Sequence, residues 1–308
     1  MYNLIIIGAG PAGLAAAVYA ARQKINFCII SKDIGGQTVW SSDVENYLGF
    51  HLVSGSQLVE RFQEHIKDYK IELKEEGVKQ IKKKNSSFIV VGDNGNYETK
   101  TILIASGKKP RLLGMTGEDK YRGKGVTYCA TCDAPLFNGK TVAVVGGGNA
   151  ALDAALLLEK YCPKIYLITI NPEMKGEKSM IEKVKKSKKI EIIANAKTTE
   201  ILGNKFVKKI KIDAKGNMKE LGVEGVFIEI GSIPSLDFDR LTEKNKWNEI
   251  IIHDDKKNYI SNLTSVPGIF AAGDCTDVPE KQIIVAAGEG VKAVLGVFKY
   301  LGKGAGAY

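Results

Sequence analysis

A short apolar strand followed by a glycine-rich turn and a helical stretch occurs twice in this chain, and this repeat limits the folds open to it. In the first copy, residues 4–7 lead into the turn 8–13. In the second copy, residues 142–145 lead into the turn 146–151. A second apolar strand is predicted after each helix, at residues 27–30 and 165–168. This order is the beginning of a βαβ unit that binds a dinucleotide.

The glycines of such a turn have defined roles. The first permits the tight turn, the second lets the backbone approach a pyrophosphate, and the third lets helix and strand pack closely. The phosphates then lie at the positive end of the helix dipole. One glycine turn would be weak support, but two copies in the same context favour two nucleotide sites. We therefore expect an α/β protein with two Rossmann-like dinucleotide-binding domains.

Two cysteines, Cys129 and Cys132, lie between the two turns. They could be half of a zinc site, a redox dithiol or two structural cysteines. A structural zinc site needs four ligands, whereas the other cysteines are isolated and the histidines are widely separated: Cys28, Cys162 and Cys275, and His51, His65 and His253. A Cys-x-x-Cys loop can lower a thiol pKa to near 7. Redox exchange is therefore preferred, and a metal-holding pair in a nucleotide-binding protein that is not an enzyme stays as an alternative.

Asp133 directly follows the second cysteine of the pair. A carboxyl group there could donate or accept a proton during thiolate exchange. It could also be an ordinary loop carboxylate or a helix cap, and its sequence position alone favours that simpler interpretation.

Composition excludes several classes of protein. The 308 residues are 44% hydrophobic and 26% charged, which is typical of globular chains and not of disordered, collagen-like or disulfide-dense proteins. No segment reaches the ~18 continuous apolar residues of a membrane helix, and the N-terminus lacks the basic region of a signal peptide. We expect a cytoplasmic protein without a membrane or nucleic acid partner. The net charge of +9 favours an acidic protein partner.

The motifs together resemble one family over essentially the whole chain. The following segments occur in the order seen in low-molecular-weight thioredoxin reductases: 8–13, 35–37, 44–47, 129–133, 146–151 and 273–275. The chain is also similar to the reductase portion of the alkyl hydroperoxide reductase flavoprotein, notably at residues 171–175. That flavoprotein has an additional N-terminal thioredoxin-like module. Because this chain begins at the first nucleotide motif, we expect no such module here.

The resemblance implies an FAD-binding domain formed by residues 1–113 and 244–308, with an NAD(P)-binding domain inserted at 114–243. The glycines that would hold the FAD pyrophosphate are Gly8, Gly10 and Gly13. The residues expected elsewhere around FAD are Gly36, Gln37 and Asn46 near the flavin, Gly273 and Asp274 on the ribityl-phosphate side, and Lys281, Gln282 and Ile283 along the pyrimidine edge. Gly107 is also expected to bind a cofactor. The positions expected to contact NAD(P) are Gly146, Gly148, Asn149, Ala151 and Gly231.

The resemblance also implies a reaction. Cys132 would face the flavin, Cys129 would attack the disulfide of a protein substrate, and Asp133 would be the acid. The expected enzyme is an FAD-dependent thioredoxin-disulfide reductase and a homodimer. Reduced ferredoxin in place of NAD(P)H is the alternative donor, although the intact loop at 146–151 argues against it.

The electron donor depends on residues after the second strand of the NAD(P) unit. NADPH-using relatives carry a histidine and two arginines where this chain has Thr169, Ile170 and Asn171, and an arginine where it has Lys175. The usual contacts to a 2′-phosphate are therefore missing, and only the lysine retains a positive charge. We expect NADH or NADPH to be used, with NADH slightly favoured.

Overall fold

The computed structural model of the protein describes residues 1–41 and 44–303. The elements up to residue 110 are β1 (Tyr2–Ala9), α1 (Pro11–Arg22), β2 (Phe27–Ile34), α2 (Gly55–Lys67), β3 (Leu73–Glu75), β4 (Val78–Lys84), β5 (Ser87–Gly92), β6 (Asn96–Ile104) and β7 (Lys108–Pro110). Those up to residue 193 are β8 (Val126–Thr127), α3 (Ala130–Asp133), β9 (Thr141–Val145), α4 (Asn149–Leu158), β10 (Lys164–Ile168), α5 (Lys178–Lys186) and β11 (Ile190–Ile193). The remaining ones are β12 (Ala196–Gly203), β13 (Val207–Ala214), β14 (Asn217–Gly222), β15 (Gly225–Ile228), β16 (Ser232–Pro234), β17 (His253–Asp255), β18 (Ile260–Leu263), β19 (Ile269–Ala271) and α6 (Ile283–Lys303). Short 3-10 helices span Gly36–Trp40, Ala134–Phe137 and Gly273–Cys275.

One large sheet combines strands from the two ends of the described chain. Its main order is β17-β18-β19-β6-β1-β2-β3, with the β4–β5 hairpin attached to β6. The central strands β19, β6, β1 and β2 run parallel to their neighbours in this row. Their side chains are buried on both faces, as expected for a parallel sheet covered on each side.

Helices α1 and α6 pack together on one face of this sheet. A Cβ atom at Gly290 would lie 2.0 Å from the carbonyl oxygen of Ala12, so the two helices approach too closely for a larger residue there. The small side chains of the alanine-rich α1 permit this close approach of the two helices. The packing fixes the N-terminus of α1 at the edge where β1 ends.

A second sheet has the order β11-β10-β9-β15-β8, and all of its strands are parallel. Helix α4 covers one face through an apolar cluster that includes Leu152 and Phe227. The antiparallel sheet β12-β13-β14 covers the other face. The strand β9 lies between β10 and β15, so chain connections leave β9 in opposite directions. Open α/β sheets with this strand order bind ligands outside the carboxyl ends of such strands.

The two sheets confirm the predicted α/β fold class with two Rossmann-like units. Strands β7 and β16, which pair with each other, lie on the connections between the two units. The domain boundaries at 113/114 and 243/244 stay a prediction. No helix in the described part of the chain is long and apolar enough to cross a membrane.

The glycine-rich residues 302–307 predict a frayed C-terminal tail, and 304–307 lie outside the described residues. Helix α6 continues to Lys303, and Tyr300 and Leu301 pack against the core. The lysine-rich stretch 183–189 predicts a solvated helix face, but α5 ends at Lys186 and the chain then enters β11. The three cysteines outside the pair, Cys28, Cys162 and Cys275, are buried free thiols.

Candidate active site

The first glycine loop lies at the carboxyl end of β1. Gly8 has a φ of +107°, and a Cβ atom there would lie 2.4 Å from the carbonyl oxygen of Ala105. A Cβ atom at Gly13 would lie 1.9 Å from the carbonyl oxygen of Gly8, which explains the close packing of α1 on the strand. No heavy atom lies within 4 Å of a Cβ built at Gly10, and no side chain caps α1. The helix N-terminus therefore faces open space and fits a pyrophosphate such as that of FAD.

Other predicted FAD residues gather at the same edge. Gly107 follows β6 and Gly273 follows β19, both with positive φ angles, and a Cβ atom at Gly36 would lie 3.7 Å from the Cα atom of Gly10. Gln37 belongs to the 3-10 helix that begins at Gly36. The parallel strands bring these turns together, since their carboxyl ends meet at one edge.

The predicted flavin residues from distant parts of the chain also meet. Asn46 donates a hydrogen bond from Nδ2 to Oε1 of Gln282, at 3.1 Å. Neighbouring Lys281 forms an ion pair with Glu249, at 3.2 Å, and Ile283 begins α6. Burial raises the pKa of Asp274, while the positive charges of Lys108 and Lys281 act in the opposite direction. The structure thus brings these residues together, and their contacts to FAD stay a prediction.

The second glycine loop lies at the carboxyl end of β9. A Cβ atom at Gly146 would lie 2.3 Å from the carbonyl oxygen of Glu229 and 2.8 Å from Cβ of Ala151, so the loop is tightly packed. Gly148 precedes α4, which has no side-chain cap, and both Gly148 and Gly231 face open space. This loop also fits a pyrophosphate at a helix N-terminus.

A segment of the same unit folds back over this loop. Asn149 accepts a hydrogen bond at Oδ1 from the backbone N–H of Glu177, at 2.8 Å. The backbone N–H of Lys175 donates to the carbonyl oxygen of Gly147, at 2.6 Å. The predicted residue Asn149 therefore holds the segment in place through its side chain, in addition to any contact with a cofactor.

The residues expected near a 2′-phosphate follow β10. Thr169 is only 3% exposed, and its Oγ1 accepts the backbone N–H of Asn171 at 3.2 Å. Ile170 is 72% exposed, and Lys175 is exposed as well. The hydroxyl of Thr169 is thus used within the protein, and the outward-facing side chain at this turn is an apolar one.

The two central cysteines form a disulfide between Cys129 and Cys132, with an S–S distance of 2.07 Å. They follow β8, whose neighbour in the sheet is β15, so the disulfide lies at the same edge as the second glycine loop. Cys129 precedes α3, and its Sγ accepts the backbone N–H of Cys132 at 3.2 Å. Both residues are half-buried. The structure therefore pairs the two cysteines, as a redox dithiol requires.

Asp133 is 6% exposed and lies beside the disulfide. The hydroxyl of Thr127 donates to Oδ2 of Asp133, and the same hydroxyl oxygen accepts the backbone N–H of Cys129 at 3.2 Å. Asp133 is thus buried, and its side chain forms no cap bond to the 3-10 helix that follows it. Its role as the acid stays a prediction. Thr127 links the carboxyl group to the backbone of the redox pair.

Sequence reasoning missed Thr127 and a second carboxyl group, Glu229. Oε1 of Glu229 accepts the backbone N–H of Ala130 at 3.1 Å. Burial raises the pKa of Glu229 to about 7, against the lowering effects of that N–H and of Lys108. A signal was available, because Glu229 is the one charged residue in the otherwise apolar run 225–230.

Among the described residues, no group of three or more histidine, cysteine, aspartate or glutamate side chains could hold a metal ion. The site consists instead of two glycine loops at the edges of two parallel sheets, with a disulfide beside the second loop. These features are typical of the fold class of dinucleotide-binding disulfide oxidoreductases.

Comparison with known proteins gives the family. Residues 2–290 match the family described as pyridine nucleotide-disulphide oxidoreductase, and the chain belongs to it. Membership implies FAD and a pyridine nucleotide as cofactors. Among solved structures, the chain is similar to thioredoxin reductase from Streptococcus pyogenes MGAS5005, with 34% identity, a TM-score of 0.92, and coverage of 98% of this chain and 99% of that one. The resemblance to low-molecular-weight thioredoxin reductases is thereby confirmed.

Two further relatives, similar to this chain in sequence, are not named thioredoxin reductase. An alkyl hydroperoxide reductase component of Escherichia coli (strain K12) is 39% identical over 312 residues, and NADH dehydrogenase of Bacillus subtilis (strain 168) is 34% identical over 304 residues. Each match covers 97% of this chain and 58% of the relative. The chain therefore spans a little over half the length of these relatives.

Proposed function

We propose that the protein is an FAD-dependent, NAD(P)H-driven reductase of a small protein disulfide of the thioredoxin type. The Cys129–Cys132 disulfide carries this proposal, because it lies at the edge of the nucleotide-binding sheet with a buried carboxyl group beside it. The likeness to a thioredoxin reductase over nearly the full length of both chains supports it.

Each glycine loop would hold one cofactor. Gly8, Gly10 and Gly13 would hold the pyrophosphate of FAD, and Gly146 and Gly148 that of NAD(P)H. Bound FAD supplies the chemistry of accepting two electrons from the nicotinamide and passing them to a disulfide. The protein orients the cofactors, because the two helix N-termini fix the pyrophosphates relative to their sheets.

The cysteines would complete the transfer by thiol–disulfide exchange. Two electrons open the Cys129–Cys132 bond and give one thiolate and, with one proton, one thiol. The Cys129 thiolate attacks the disulfide of the partner and forms a mixed disulfide, which Cys132 then resolves, so the partner leaves as a dithiol. Asp133 would move the proton, because it lies beside the pair and is held there by Thr127. Exchange with thioredoxin, at about −270 mV, is nearly balanced between matched dithiols.

We propose a cytoplasmic homodimer whose net charge of +9 steers an acidic protein partner toward the redox pair. Sedimentation velocity would test the dimer, which predicts a mass of twice 33.5 kDa.

The test is reduction of oxidised thioredoxin by the FAD-loaded protein with NADH or NADPH, followed by the loss of nicotinamide absorbance. We expect turnover that requires thioredoxin and is abolished by Cys129→Ser. Cys162→Ser is the matched control, because this buried thiol lies outside the site. Nicotinamide oxidation that is unaffected by Cys129→Ser and leaves thioredoxin oxidised would contradict the proposal. Turnover with reduced ferredoxin, but with neither NADH nor NADPH, would show that ferredoxin is the electron donor. A colourless, metal-containing preparation would favour the alternative in which the cysteine pair holds a metal.

A further inference from the structure

Glu229 lies between the second glycine loop and the cysteine pair of the nucleotide-binding unit. It follows β15, which is hydrogen-bonded to β9 on one side and to β8 on the other. Its backbone N–H donates to the carbonyl oxygen of Val145, at 2.8 Å, next to the glycine loop. On the other side, β8 leads into the cysteine pair. A carboxyl group at this position can therefore gain or lose a proton when the charge at the cysteines changes.

Glu229 contacts the backbone between the two cysteines of the redox pair. Its Oε1 accepts the N–H of Ala130, the residue that immediately follows Cys129. Another amide of the same turn, that of Cys132, donates to Sγ of Cys129 instead. The carboxylate and the sulfur atom thus share the first turn of α3, and a negative charge on one opposes a negative charge on the other.

The charged groups around Glu229 come from two further elements. Lys108, on β7, favours its ionised form, and Asp153, on α4, disfavours it. Burial is the largest influence and raises the pKa of Glu229 to about 7. Lys108 is itself half-buried, and Asp274 on the FAD side also attracts it. The balance leaves the proton occupancy of Glu229 sensitive, near neutral pH, to any new charge at the cysteines.

We propose that Glu229 is a positioning residue for the redox pair and that it takes up one proton when the disulfide is reduced. The inference rests on the proposed function, because it requires a disulfide that is opened by a reductant, either reduced flavin or a dithiol reagent. Two electrons break the Cys129–Cys132 bond. One proton binds one sulfur atom, a second proton binds the Glu229 carboxylate, and the other sulfur atom remains a thiolate. The neutral carboxyl group then no longer opposes the thiolate.

The test measures the thiolate itself and needs no turnover. In a Cys132→Ser background, the rate of Cys129 alkylation by iodoacetamide is followed from pH 5.5 to 9, with the modified residue identified by mass spectrometry. Adding Glu229→Gln preserves a hydrogen-bond acceptor for Ala130 and removes the charge. We expect equal rates below about pH 6, where Glu229 is protonated, and about three- to tenfold faster alkylation at pH 8 in the Gln variant. Glu224→Gln, which changes an exposed carboxylate at the other end of β15, should leave the curve unchanged.

The outcomes separate the possible roles. Identical curves for parent and Glu229→Gln would overturn the proposal, and so would an equal change at every pH, because that pattern indicates a structural effect. If the variant does not fold, infrared difference spectra of the protein with its native cysteines decide. Reduction by dithiothreitol at pH 7.5 should produce a protonated-carboxyl band that persists in Asp133→Asn, and absence of the band would count against proton uptake. These measurements use a chemical reductant and no thioredoxin. A protein that does not reduce thioredoxin would contradict the proposed function, but the role of Glu229 could still be tested.

Discussion

Replacing Ile170 by arginine should give the protein a preference for NADPH that it otherwise lacks. Ile170 is the exposed side chain at the turn after β10, beside the segment that folds over the second glycine loop. In the parent, a 2′-phosphate at this turn would meet Thr169, whose hydroxyl already accepts from Asn171, and the point charge of Lys175. We therefore expect the parent to use NADH at least as well as NADPH, with a modest preference for NADH.

The magnitude follows from the exposure of the site. A charge-assisted hydrogen bond contributes about 1.5 to 3 kcal/mol when well formed, and solvent screening at an exposed position reduces this. A gain of about 1.4 kcal/mol corresponds to a tenfold increase in kcat/KM for NADPH in Ile170→Arg, with little change for NADH. Ile170→Gln is the control, since it has a polar side chain without charge. A hundredfold NADPH preference in the parent, or no response to Ile170→Arg, would refute the reasoning.

Three further predictions test the site. Asp133→Asn should slow thioredoxin reduction by about 10²- to 10⁴-fold while flavin reduction by the nicotinamide stays normal in stopped-flow traces, and unchanged turnover would remove its proton-transfer role. Cys129→Ser should show a long-wavelength charge-transfer band from a Cys132 thiolate beside oxidised flavin, whereas Cys132→Ser should not. The converse pattern would exchange the two roles. Gly13→Ala should lower the FAD-to-protein ratio, because its Cβ atom would lie 1.9 Å from the Gly8 carbonyl oxygen, while Gly288→Ala on α6, which faces open space, serves as control. Equal FAD content in both variants would argue against that packing constraint.

The parts of the fold that depend on local patterns could be predicted from the sequence. Two strand–turn–helix units were evident because buried parallel strands are continuous apolar runs and their turns require glycine. Which strands lie beside these units in the sheets is harder to predict from the sequence. That β8 and β15 lie side by side, so that the cysteine pair shares an edge with the second glycine loop, depends on pairing between residues that are about 100 positions apart.

The site residues also divide into those that a local sequence pattern predicts and those that only long-range contacts reveal. Cys129 and Cys132 could be predicted because their spacing has a chemical meaning in itself, whereas the role of Asp133 came from the family resemblance. Thr127 and Glu229 did not stand out, because their importance lies in contacts that only the folded chain creates: a hydroxyl that joins Asp133 to a backbone amide, and a carboxylate that reaches the amide of Ala130. A charged residue within the apolar run 225–230 is the available sign of the latter.

The path of electrons through the disulfide is the central claim, and an anaerobic titration tests it most directly. The FAD-loaded protein is titrated with NADH in the absence of any protein partner, quenched with an alkylating reagent, and analysed by mass spectrometry. The account predicts that two thiols per chain, at Cys129 and Cys132, become alkylated as the nicotinamide is consumed, while the buried Cys28, Cys162 and Cys275 stay unmodified in the folded protein. Flavin that is reduced to completion by NADH or NADPH while the Cys129–Cys132 disulfide remains intact would contradict it.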